Sequence, residues 1–319
     1  MLYSSVQPMH IPDGFLSTLV SIVFWVISIV VLGYALKRVG KDLGERQMPV
    51  MGVLAAAIFA GQMLNFSVAG GTSGHLLGAT LATILLGPWA AMIVMTTVAS
   101  IQALIFQDGG LLALGANLFN MAVIGVMVSY FTYTSVQKLA RGKSWGVFAG
   151  GTLAAWLSIV SAALACALEL AISGTSPASI AVPAMGGIHM IIGLGEGLIT
   201  FGALAFLYAT RRDLFHIGEA APRGSKAIWV GGLSIAALLA VLSPLASTHP
   251  DGLEWVAGQK GFLEAARAPL YNLLPDYMFP GISNDALATI VAGIIGVVLV
   301  FAVALGVAYL RRGRKRLNR

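Results

Sequence analysis

A chain of 319 residues that is 58% hydrophobic, 10% charged and of mean hydropathy +0.87 lies outside the range of soluble domains, in which about a quarter of residues are charged. Its formal charge of +6 comes from basic residues set between apolar runs rather than from a patch on a soluble surface, which excludes a nucleic-acid partner and makes the cations topology signals. The single cysteine, Cys166, excludes a disulfide framework and a thiolate zinc site, and reads as a small buried packing residue.

Residues 1–8 have neither a basic nor an apolar region and are not a secretory signal; translation is expected to start at Met9, or the extension to be removed, because the Met9 amine would then be free to bind an ion together with His10. Apolar stretches able to cross or nearly cross a ~30 Å hydrocarbon core follow at residues 16–36, 49–66, 75–86, 89–106, 111–134, 145–172, 186–208, 227–245 and 287–310. They predict an all-α, polytopic membrane helical bundle of nine spans. The third is too short to cross without tilting or being shielded by its neighbours.

Basic residues retain short loops on the cytoplasmic side. Lys37, Arg38, Lys41 and Arg46; Lys138, Arg141 and Lys143; Arg211, Arg212, Arg223 and Lys226; and the tail from Arg311 together hold 17 of the 19 Lys and Arg. Nine spans put all four groups on one face, so the N-terminus is expected to be extracytoplasmic and the C-terminus cytoplasmic. The opposite face then carries residues 9–15, 70–75, 173–184 and 249–285. The polar stretch 212–226 reads as a cytoplasmic linker, dividing a seven-span body at 1–215 from a two-span appendage at 216–319. Glycine spacings at Gly70, Gly74 and Gly78, at Gly146 and Gly150, and at Gly193 and Gly197 predict close helix packing.

Three of the five histidines, His10, His75 and His189, fall at or just inside the span ends on the face away from the basic loops. Imidazole suits nickel, copper and zinc, and a scarcity of carboxylates on that face argues against calcium or magnesium. With Met9 as first residue, its amine, the His10 amide nitrogen and the His10 imidazole could chelate one ion. A nitrogen from His75 would complete a planar set that favours Ni(II) or Cu(II) over tetrahedral Zn(II). Gln62 and Asn65, one helical turn apart near the His75 loop, are candidates for orienting an imidazole or the loop backbone, or for plain helix–helix hydrogen bonding. His189 and Glu196, seven residues apart, share a helix face; Glu196 is read as an acid in a packing network, with the ion's route as the alternative.

The segments Met9-His10-Ile11-Pro12-Asp13-Gly14-Phe15-Leu16 and Gly71-Thr72-Ser73-Gly74-His75-Leu76-Leu77-Gly78 resemble the two signatures of the NikM/CbiM family, the substrate-binding components of energy-coupling factor transporters for nickel and cobalt. That resemblance implies Met9, His10 and His75 as metal ligands. It implies as partners a transmembrane coupling protein similar to NikQ/CbiQ and a pair of cytoplasmic ATPases similar to NikO/CbiO. The eight residues before Met9 depart from the family pattern and bear on the Met9 amine alone. His249-Pro250-Asp251-Gly252-Leu253-Glu254-Trp255 resembles the PDGLE segment of the NikN/CbiN component, although Pro-Asp-Gly is also an ordinary turn sequence. Pro12-Asp13 inclines the resemblance toward nickel.

Gly142-Lys143-Ser144 lacks the first glycine and preceding strand of a phosphate-binding loop, and no nucleophile elbow or zincin motif occurs. The chain is therefore expected to be no enzyme, to need no cofactor, and to carry Ni2+ or Co2+ as transported substrate in a multi-pass cell membrane protein. An autonomous secondary metal carrier or channel using Glu196, and a membrane metalloenzyme, are the alternatives.

Overall fold

The computed structural model describes residues 9–42, 47–215 and 225–317. The extension 1–8, the centre of the expected linker with its division at 215/216, and the side chains of the basic tail beyond Arg311 lie outside the described residues.

The element order is α1 (Thr18–Asp42), α2 (Gln47–Gln62), a hairpin of β1 (Phe66–Val68) and β2 (Thr72–Gly74), α3 (Ala79–Leu86), α4 (Pro88–Ile101), α5 (Leu114–Leu118), α6 (Gly125–Ala140), α7 (Ser144–Ile172), α8 (Ala178–Thr210), α9 (Ser225–Leu242), α10 (Gly252–Lys260) and α11 (Asp285–Leu317). Wider π-type turns at Gln102–Phe106 and Phe119–Ile124 extend α4 and join α5 to α6. Insertions of this kind concentrate at functional sites; the first runs into the loop that carries Asp108, and Asn120 and Met121 of the second line the pocket described below.

Among the described residues, seven helices are long and apolar enough to cross a membrane, and the protein is a multi-pass helical membrane protein. Two of the nine expected stretches form shorter helices, the third as anticipated. Helix α2 has 16 residues, and most of its surface is covered by protein, so it does not have to match the bilayer itself. Helix α3 has eight, about 12 Å, because residues 75–78 are non-helical, Gly78 lies in the left-handed region at φ 79°, and the helix starts only after it. The Gly70 spacing was likewise not a helical one: Gly70 and Gly71, with φ of 88° and 77°, make the hairpin turn.

Leu19, Ile22, Val26, Ile29 and Val30 leave one side of α1 exposed for lipid, while Ser28 on the other side donates to the Gly115 carbonyl at 2.7 Å. Small residues carry the packing elsewhere, as expected where lipid supplies no drive for association. A Cβ on Gly193 would lie 2.8 Å from Trp156, and one on Gly146 2.5 Å from Ala140. The C-terminal helices are built in the same way: Gly232 of α9 admits Val53 of α2, and Gly296 of α11 admits Phe59. They are thus packed into the bundle through α2. Arg38 lies over Tyr34 and Trp89, tying the last turns of α1 to the start of α4 at the basic end. His10, His75 and His189 gather at the other.

Candidate metal-capture site

The segment from Met9 to Leu16 is a loop, yet Ile11, Phe15 and Leu16 are buried. Each such side chain removed from water contributes roughly 1.5–3 kcal/mol, and polar side chains satisfy the backbone that goes in with them. Asn117 accepts from the Ile11 N–H at 3.0 Å and donates back to the Ile11 carbonyl at 3.1 Å, forming a two-point clamp. The Asp13 carboxylate accepts from the N–H groups of Leu111, Leu112 and Ala113. Asp13 thereby anchors the loop beside the start of α5. Gly109 is obligatory here, since its Cβ would fall 2.9 Å from that of His10 and its φ is 96°.

His10 is 6% exposed. Its Nδ1 meets Asp108 Oδ1 at 3.0 Å, and the same oxygen accepts the Met9 N–H at 2.8 Å. With the Nδ1 proton held by Asp108, the lone pair belongs to Nε2, which is buried without a partner. An orphaned buried nitrogen costs about 1–3 kcal/mol and calls for a functional explanation. The His75 ring lies edge-on to it, centroid to centroid 5.6 Å. Two imidazoles sharing an ion bonded at ~2 Å to each fall in a window of roughly 4.5–6.5 Å. His75 Nδ1 is likewise committed, to the Leu76 carbonyl at 3.1 Å.

Burial disfavours a charged His10, but the adjacent Asp108 carboxylate outweighs it and holds the imidazole above its ordinary 6.5. Burial, and after it the His10 charge, hold His75 below that value. Asp108 resists its own burial because His10 stabilises the carboxylate, which stays below the usual range.

The backbone following His75 is held from two sides. Gln62 donates to the Leu77 carbonyl at 2.9 Å and accepts from Gln102 at 2.8 Å. Glu196, fully buried on α8, accepts the N–H groups of Leu77 at 2.7 Å and Gly78 at 3.1 Å. Two of the residues singled out from the sequence thus grip the loop rather than the ring. Asn65 is not with them: its backbone carbonyl accepts from Ser247, and its side chain lines a separate crevice.

A cavity of about 90 Å³ joins Met9, His10, His75 and His189. His189 donates from Nδ1 to the Met185 carbonyl at 2.8 Å and turns its far edge to Gly252, where a Cβ would sit 3.0 Å from Nε2. Cys166 is buried, as expected, and is also a wall of this cavity. The segment after His249 closes it. Ser73 N–H donates to the Pro250 carbonyl at 2.8 Å, Ser73 Oγ to the His249 carbonyl at 2.8 Å, and Asp251 caps α10 by accepting the Glu254 N–H at 2.8 Å. Burial pushes the Asp251 carboxyl up to about 8.

The expectation that carboxylates are scarce on this face is corrected by Asp108 and Asp251, which the fold brings from distant loops to the pocket. Asp108-Gly109-Gly110, an acid beside two glycines between apolar runs, was the signal available for the first. Among the described residues no three side chains of His, Cys, Asp or Glu are grouped to hold an ion. Two imidazoles therefore need backbone nitrogens to complete a coordination set.

A membrane-spanning helical bundle with a small, imidazole-bearing pocket covered by an inserted loop defines a polytopic membrane protein equipped for a small ligand. Residues 10–214 match the family model described as CbiM, cobalt uptake substrate-specific transmembrane region, and 226–313 match the PDGLE domain. The chain belongs to the CbiM family. It is 39% identical over 96% of its length to a fused nickel transport protein of the NikMN type from Archaeoglobus fulgidus, 99% of which is covered. With the fused nickel transport protein NikMN of Rhodobacter capsulatus it shares 32% identity over 92% of this chain and 95% of that one. The crystal structure of a truncated transition metal transporter superposes with a TM-score of 0.56 at 37% identity, covering 63% of this chain and 98% of that one. The chain is a membrane transport component of the NikMN/CbiM type, and its relatives are named as transport proteins, not enzymes.

Proposed function

We propose that this protein captures a divalent transition metal, Ni(II) in preference to Co(II), from the extracytoplasmic side for an energy-coupling factor importer. The observation that carries the reading is the pair of facing imidazoles, His10 and His75, at 5.6 Å, with His10 Nε2 buried and unpartnered. The ligand set is His10, His75 and the backbone nitrogens at Met9 and His10, the Met9 nitrogen serving as a free amine in a chain that begins there. Four nitrogens in one plane suit Ni(II). The chain is read in two parts, a metal-binding body to residue 215 and a two-helix segment from 216 carrying the PDGLE loop.

Energy is supplied by partners, a transmembrane coupling protein and a pair of cytoplasmic ATPases, with the basic loops and the C-terminus facing them. Glu196 would be the proton-coupling acid of an autonomous carrier, but it is occupied by two backbone N–H groups, which favours capture. Proteoliposomes holding the complete complex are expected to accumulate 63Ni(II) only with ATP, and those holding this chain alone to show no sustained uptake. Gradient-driven uptake by the chain alone contradicts the proposal.

A further inference from the structure

Residues 252–284 run between α9 and α11, and Tyr277 is their deepest polar side chain. It is 9% exposed, stacked on Phe106 with centroids 4.7 Å apart at 16°, and near Phe59 at 6.1 Å. Its hydroxyl donates to Asp108 Oδ2 at 2.6 Å. The other oxygen of the same carboxylate holds Met9 N–H and His10 Nδ1. Asp108 is therefore shared between the metal-facing loop and a residue from the far end of the chain.

Two further observations mark this contact as more than packing. Asp276 and Tyr277 have φ of 53° and 57°, consecutive non-glycine residues in the left-handed region, a conformation that persists only where the surroundings hold it. Asp108 and Tyr277 also border a wider crevice of about 610 Å³, and Met9, hydrogen-bonded to Asp108, lines both this crevice and the 90 Å³ histidine pocket.

We propose that Tyr277 is a positioning residue, a latch by which the loop of the C-terminal segment fixes Asp108, and through it the His10 ring, and closes the wall between crevice and pocket. With the loop docked, His10 is held as the Nδ1–H tautomer with Nε2 presented to the ion. With it lifted, Asp108 loses its fixed orientation and Met9 alone separates the pocket from the crevice. This inference rests on the capture reading only in its metal arm.

The test uses the full-length protein and Tyr277→Phe, which keeps the aromatic stack and removes the hydroxyl. In metal-free protein at one alkaline pH, the 15N signals of the His10 ring are expected to report a single tautomer in the wild type and exchange between two in the variant. After loading with Ni(II), release to a chelator is expected to be about ten-fold faster in Tyr277→Phe, the scale of one hydrogen bond to a charged group. Adding Tyr277→Phe to Asp108→Asn should bring no further acceleration, because both act through one carboxylate. An unchanged His10 tautomer signal overturns the latch, as do release rates that multiply in the double variant. Tautomer exchange in a protein that takes up no Ni(II) leaves the latch standing and defeats the capture reading instead.

Discussion

His10 and Asp108, 98 positions apart in the chain, meet through Nδ1 and Oδ1 at 3.0 Å, and this contact decides which imidazole nitrogen faces the pocket. A carboxylate behind a ligand imidazole fixes the ring and raises its basicity, and removing such a partner typically lowers metal affinity about 10- to 100-fold.

Asp108→Asn is therefore expected to weaken Ni(II) binding by that factor at alkaline pH, as measured by competition with a chelator. The pH profile should change as well. Asp108 holds His10 above 6.5, so in the wild type protons displace the ion as pH falls through that raised value, while His75, below 6.5, stays neutral. Without the carboxylate the acid limb moves to lower pH. An acid limb that stays in place would separate His10 from metal binding.

Glu196→Gln replaces an acceptor of two N–H groups by an amide able to satisfy only one. Leaving a buried N–H unpaired costs about 1–3 kcal/mol. A lowered unfolding temperature together with weaker Ni(II) binding is expected, since the loosened backbone begins two residues after His75. Unchanged stability would show that the clamp is dispensable.

Asn117→Ala removes both side-chain hydrogen bonds to the Ile11 backbone and leaves its carbonyl only the Gly110 N–H at 2.9 Å. The expected result is faster hydrogen exchange over residues 9–15 with exchange in α7 and α8 unaltered. Equal protection in the variant would place the holding force elsewhere, in the buried Phe15 and Ile11.

Gly252→Ala puts a methyl group 2.7 Å from Ile192 and 2.8 Å from the His189 ring, closer than side chains tolerate. The segment that closes the pocket should lift and bound Ni(II) should exchange at least several-fold faster, while His10 and His75 are untouched. A release rate equal to wild type would mean that this segment does not govern access.

Much of this architecture is written in hydropathy. The apolar runs fix where the helices lie because a bilayer leaves the backbone few alternatives. The two histidines were legible because imidazoles beside membrane spans are costly without a purpose. Three features were hidden for physical reasons. The non-helical stretch at 75–78 sits in an apolar run whose composition is the same for a helix and for a half-helix, and the grip of Gln62 and Glu196 on Leu77 decides between them. Asp108 gains its meaning from a contact across the fold, which no local spacing encodes. Tyr277 looks like one more aromatic in a long loop until its hydroxyl is seen against that same carboxylate.

The claim on which everything depends is that His10 and His75 hold one ion together. Metal content by mass spectrometry of purified protein whose chain begins at Met9, compared among wild type, His10→Ala and His75→Ala after loading with Ni(II), tests it most directly. The account predicts about one nickel per wild-type chain and none retained in either variant, with all three proteins folded. Stoichiometric nickel in His75→Ala would contradict it.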